Sequence, residues 1–288
     1  MAQETIKNLL PKFIAYLNEK RRSPSTVLAY KADLEQMINF CEQKQKIYPE
    51  GIGQEVIEAF RDSLLANKYT PKTVSRKLNA IKTFFRYLVS ENFITKDPSA
   101  LVAHPKIEMS LPKHLSQIQY RALRDVVRND YRIAAIVELI LQTGARISEV
   151  AGLKTANISK DRITIEAYAT QPQRTVPLNK RAHDAIDFYI AKERPKTEAS
   201  YLFVSKNSKP LAVRNIRAAI DRYMQKSEIP GFSVNDLRTT FIVNNIKAGV
   251  DLILLSQVSG HKRLSTTERY LELAGMTEPG KKQVLEEL

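Results

Sequence analysis

The sequence predicts a mainly α-helical chain of two domains, with one small β-hairpin in the second. Three observations lead there. Apolar residues recur at helical spacing along most of the chain. Strand-like alternation is confined to residues 161–168 and a partner at 175–178. The periodicity lapses for one long stretch, Asp97 to Ser116, where DPSALVAHPKIEMSLPKHLS holds three prolines. That composition reads as an interdomain linker. A length of 288 residues fits two domains. We set them at 1–90 and 112–288, with a linker at 91–111.

Each element has a local cause. Thr5 to Glu19 carries an apolar stripe of Ile6, Leu9, Leu10, Phe13, Ile14 and Leu17. SPSTVLAY opens the second helix, with Ser23 as cap and Pro24 in the first turn, where its missing N–H does no harm. Val56, Ile57, Phe60 and Leu64 mark a third helix. TPKTV repeats the entry grammar with Thr70 and Pro71, ahead of Val74, Leu78, Ile81, Phe85 and Leu88. Past the linker, helices follow from Gln117 and from Tyr131 to Thr143, which Gly144 ends. A short one beginning near Arg146 comes next. After the hairpin come Lys180 to Arg194, Val213 to Lys226, a helix entered at Ser233 and closed by Gly249, and Asp251 to Val258. SGHKRLSTTERYLEL reads as a loop, a turn and the start of a last helix, with a threonine as its cap.

Net charge is +14 and the pI about 9.7, which points to nucleic acid or an acidic membrane surface as partner. The excess is shared, +5 in residues 1–105 and +9 in 106–288. No apolar run is long enough for a membrane span. The N-terminus lacks the pattern of a secretory signal. Cys41 is the only cysteine, which suits a reducing cytoplasm, and the four scattered histidines show no metal-ligand spacing. Basic residues sit opposite the apolar stripes of the first domain. Arg21 and Arg22 precede the second helix, and Lys72, Arg76, Lys77 and Lys82 line the fourth. Such a face can lie along a phosphate backbone.

Four stations in the second domain suggest chemistry. They are Arg146 in TGARISE, Arg238 in NDLRTTF, His261 in SGH, and Tyr270 nine residues later. Two arginines can fork the non-bridging oxygens of a phosphodiester, where negative charge grows during attack. A histidine can donate to one oxygen or move a proton. A deprotonated tyrosine can form a covalent phosphodiester that conserves bond energy, so no cofactor is expected.

TGARISEVAGL, NDLRTTF and SGHKRLSTTERY resemble the motifs of the tyrosine recombinases, the phage-integrase and Xer-like enzymes, including transposon-encoded resolvases and integrases. The resemblance covers nearly the whole chain. It implies a helical, SAM-like core-binding domain that contacts DNA, followed by a catalytic domain. It implies that Arg146 and Arg238 bind the scissile phosphate, that His261 hydrogen-bonds it, and that Tyr270 attacks to leave a 3′-phosphotyrosyl link. It also implies double-stranded DNA as partner, a homo-tetramer on paired sites, accessory proteins, and a cytoplasmic, nucleoid-associated location.

There are two departures. Asn235 stands where the family often has a histidine, and it can hydrogen-bond phosphate without acting as a base. The hairpin lysine that protonates the leaving oxygen is missing. Its position falls near Ala169, and Lys160, Arg174 or a water are the alternatives. Val284, Leu285 and Leu288 form a terminal apolar set expected to dock on a neighbouring protomer. Two other readings stand beside the recombinase. One is a type IB topoisomerase. The other is a DNA-binding or architectural protein with a degenerate site.

Overall fold

The computed structural model describes residues 4–108, 112–167, 171–282 and 284–287. The chain divides into two compact units, Met1–Met109 and Ser110–Leu288. Each has its own apolar core. The expected architecture, mainly helical with a small hairpin, is what the fold shows.

The first unit is built from α1 (Ile6–Glu19), α2 (Pro24–Gln43), α3 (Gln54–Ala66) and α4 (Pro71–Ser90). Thr5, Ser23 and Thr70 cap α1, α2 and α4 by accepting the backbone N–H three residues on. Pro24 and Pro71 sit in first turns, where no intrahelical donor is lost. The inward stripes meet in a core that includes Leu9, Phe13, Ile57, Phe60, Leu78 and Phe85.

Lys77 corrects the expectation of a cationic outer face. Its side chain is buried and its Nζ donates to Asp33 Oδ1 at 2.8 Å, while Arg76 forks the same carboxylate. Asp33 is itself buried on α2, and a carboxylate there demands cations around it. Lys77 is therefore spent on the fold. Arg21, Arg22 and Lys72 are exposed, Arg76 is half-exposed, and Lys82 reaches the Ala100 carbonyl.

In the second unit, α5 (Gln117–Val127) and α6 (Tyr131–Thr143) lead to α7 (Ile147–Gly152). The hairpin strands β1 (Arg162–Ile165) and β2 (Arg174–Pro177) follow, then α8 (Lys180–Lys192), α9 (Val213–Lys226), α10 (Val234–Lys247), α11 (Leu252–Ser259) and α12 (Leu264–Ala274). Helix α6 is apolar nearly all round and lies in the core, with α8, α10, α5, α7 and α9 packed on it. Gly144 ends α6 in the left-handed region (φ +61°), and a Cβ there would collide with the Phe241 ring at 2.4 Å. That close approach brings the α6–α7 turn against α10.

The strands are antiparallel, with Ile163 opposite Val176 and Ile165 opposite Arg174. Ile163, Ile165 and Val176 are buried, so Arg174 shares the inward face. Helix α12 starts earlier than the threonines suggested. Arg263 is its N-cap, and Thr266 and Thr267 lie within the first turn.

In the single chain the C-terminal segment packs on its own domain. Lys282 N–H donates to the Gly249 carbonyl and Asp251 N–H to the Lys282 carbonyl, both at 2.8 Å, and Leu285 packs on the core. The extended backbone beside Val250 and Asp251 leaves donors and acceptors that the tail satisfies. Leu288 lies outside the described residues. Among the described residues, no helix is long and apolar enough to cross a membrane.

Candidate active site

The site forms at the C-terminal end of α11. The last carbonyls of a helix lack intrahelical partners and carry partial negative charge. Here three arginines from three other elements supply the partners. Arg174 Nε donates to Val258 O at 2.8 Å. Arg238 Nη2 donates to Ser259 O at 2.7 Å, and its Nη1 donates to Gly144 O. Arg146 donates to Ser259 O at 3.3 Å and Gly260 O at 2.8 Å. Gly260 turns the chain in the left-handed region (φ +64°), and a Cβ there would press on the Arg174 guanidinium at 2.9 Å.

Three guanidiniums this close repel one another, and Glu149 answers that. Its buried carboxylate accepts from Arg174 Nη1 and Nη2 at 2.9 and 2.7 Å, and from Arg146 Nη1 and backbone N–H at 3.0 and 2.7 Å. Burial works to raise the Glu149 carboxyl. The Arg174 hydrogen bonds, the Arg146 N–H and the charges of both arginines outweigh it and hold the group below the ordinary carboxylate value. Burial, then the charge of Arg146, pushes Arg238 down to about 9, which leaves it protonated at neutral pH.

His261 follows Gly260 directly. Its ring lies parallel to Tyr270, with 6.2 Å between centroids and 5° between planes. Its Nδ1 sits 2.8 Å from Thr267 Oγ1. Burial, and then the charges of Arg238, Arg146 and Arg174, lower the imidazole to about 4, so the ring is neutral at physiological pH. Tyr270 is half-buried on α12, packed against the core and within electrostatic reach of Arg238.

The structure therefore brings together four of the residues singled out in the sequence, Arg146, Arg238, His261 and Tyr270. Asn235 lies one turn before Arg238 on α10. It is exposed, and its side chain makes no hydrogen bond among the described residues. The position near Ala169 lies outside the described residues. Arg174 is unsuited to protonating a leaving group, because its guanidinium is engaged with Glu149 and Val258. Two participants, Glu149 and Arg174 as an anchor, were not assigned these roles from sequence. The signal for Arg174 was there in the alternation of β2, where inward Val176 and Leu178 place residue 174 inward too.

Comparison with known proteins identifies the family. Residues 113–275 match the phage integrase family, and residues 10–92 match its N-terminal SAM-like domain. The chain belongs to the phage integrase family. It is 30% identical over 265 residues to tyrosine recombinase XerC of Thermodesulfovibrio yellowstonii, covering 88% of this chain and 87% of that one. It is 29% identical over 273 residues to XerC of Halalkalibacterium halodurans, covering 90% of each. Among solved structures, a lambda integrase dimer bound to a COC′ core site has the same fold. Its TM-score is 0.77 at 15% identity, over 97% of this integrase-family chain and 81% of that chain.

Proposed function

We propose that this tyrosine recombinase cleaves and rejoins double-stranded DNA at specific sites through a 3′-phosphotyrosyl intermediate, four copies acting on two paired sites. The observation that carries the reading is the stacking of Tyr270 and His261 beside a cluster of three guanidiniums. Three such charges against the Glu149 carboxylate leave two net positive charges. That suits a phosphodiester, which gains a second negative charge at the pentacoordinate stage.

In this reading Tyr270 Oη attacks phosphorus. The Oη–P bond forms as the P–O5′ bond breaks, the tyrosine loses its proton, and O5′ gains one. Arg146 and Arg238 hold the non-bridging oxygens with N–H groups that the α11 carbonyls leave free. His261 donates to one of those oxygens, and Asn235 can supply a further amide donor. Attack by a 5′-hydroxyl from a partner strand reverses the step. One phosphodiester is exchanged for another, so the reaction needs neither ATP nor a metal ion. Arg21, Arg22, Lys72, Arg76 and Lys82 are assigned to backbone phosphates through the first unit.

Assembly is part of the proposal. The C-terminal segment is assigned to a neighbouring copy in the tetramer. Exchanging identical tails between identical acceptor sites is a low-cost route to oligomers. Accessory proteins and a place on the nucleoid belong to the same reading.

The test starts by selecting a bound duplex from a random pool and building it as a nicked suicide substrate. Wild type should give a covalent protein–DNA band, and Tyr270→Phe should give none. A wild-type protein that binds the duplex and never forms the adduct would leave only a DNA-binding protein with an idle site.

A further inference from the structure

Thr267 has one hydrogen-bond partner among the described residues, His261 Nδ1 at 2.8 Å. It is fully buried, so its hydroxyl has no water to donate to. Other buried threonines here send their hydroxyl proton to a carbonyl one turn back, as Thr143 does to Leu139 and Thr240 to Asp236. Thr267 makes no such bond. A hydroxyl carries one proton, and a buried donor left unpaired is costly, by about 1–3 kcal/mol. The Thr267 proton must therefore go to Nδ1, which can accept it only as a bare lone pair. A neutral imidazole with a bare Nδ1 carries its proton on Nε2.

We propose that Thr267 is a positioning residue that fixes His261 in the Nε2–H tautomer, so that the ring offers the scissile phosphate a donor without being charged. The opposite arrangement, Nδ1–H donating to Thr267, would strand the buried hydroxyl proton and turn a lone pair toward an anionic phosphate. Placement supports the role. Thr267 lies three residues before Tyr270, on the same face of α12, so one bond ties the histidine turn to the helix of the nucleophile. The surroundings keep the ring neutral. Arg238 faces it from α10, Arg146 from the start of α7 and Arg174 from β2, with Glu149 behind them and Tyr270 stacked alongside. The catalytic consequence rests on the recombinase reading, but the tautomer does not.

The experiment is 15N NMR of histidine-labelled full-length protein, free of DNA, in wild type, Thr267→Val and Thr267→Ser. Wild type should show a pyridine-type Nδ1 and a pyrrole-type Nε2 for His261 at neutral pH. Protonating Nδ1 means breaking the bond from Thr267. Thr267→Val should therefore raise the midpoint above its wild-type value, though still well below the ordinary 6.5 because burial and the three arginines remain, and Thr267→Ser should restore it. Adduct formation on the suicide duplex should slow about tenfold in the valine variant, the worth of one positioned hydrogen bond, with binding unchanged and serine close to wild type. A pyrrole-type Nδ1 in wild type overturns the proposal, even if the valine variant does not fold. So does a midpoint that stays or falls in Thr267→Val. An expected spectrum without any adduct would instead sink the recombinase reading and leave the tautomer standing.

Discussion

Breaking the bond between Glu149 and Arg174 should loosen the whole active site, although neither residue is assigned to touch DNA. Their side chains are 5% and 9% exposed, so the weak energetics of surface ion pairs do not apply. Arg174→Met keeps the length and apolar bulk but removes two bonds to Glu149 and one to Val258 O. Removing one partner of a buried pair costs about 3–5 kcal/mol, because the other charge stays buried. The orphaned carbonyl adds about 1 kcal/mol or more. Glu149→Gln removes the other charge, and the double variant should recover part of the loss. A double-mutant cycle by urea unfolding should give a coupling of about 2–3 kcal/mol at pH 7. The coupling also has a pH signature. The Glu149 carboxyl is held below its ordinary value of 4.5, so unfolded chains take up its proton first. The stabilisation is complete above pH 4.5 and fades as pH falls through the lower folded value. Additive single effects, within about 0.5 kcal/mol, would refute this account of the network.

Two further outcomes follow from the same geometry. Gly260→Ala and Gly249→Ala both place a side chain at positive φ and should each cost about 1–2 kcal/mol. Only at Gly260 does the new Cβ press on Arg174, so only that variant should also lose adduct yield on the suicide duplex. On the first unit, Lys72→Ala should reduce the slope of log affinity against log salt by about 1. Lys77→Met should leave that slope unchanged but destabilise the fold by about 3 kcal/mol, since it strips a cation from buried Asp33. An unchanged melting curve for Lys77→Met would count against its structural role.

The helices were legible because their causes are local. Stripes such as Leu9, Phe13 and Leu17, and caps such as Ser23 and Thr70, lie within one or two turns of what they determine. The four motif residues were legible for another reason, since phosphate chemistry restricts the residue types that can serve it. The misreadings were all tertiary. Lys77 belongs by type on a charged face, and only the approach of Asp33 from α2 draws it in. The α12 threonines carry a cap signal, but Arg263 takes that place and Thr267 turns inward to His261.

The least legible feature is the one on which the site is centred. Val258, Ser259 and Gly260 contribute carbonyl oxygens, which every residue possesses, so no motif can mark them. These oxygens receive Arg174, Arg146 and Arg238 from β2, the head of α7 and α10. The helix dipole of α11 favours cations at that end, and Glu149 offsets their mutual repulsion. The arrangement thereby holds guanidiniums in place before any phosphate arrives. It also explains why His261 sits where it does. The residue that follows Gly260 leaves a turn clamped by three cations, so its ring is held neutral, and it lies parallel to Tyr270. Site geometry in this chain is therefore set as much by where α11 stops as by the side chains that the motifs display.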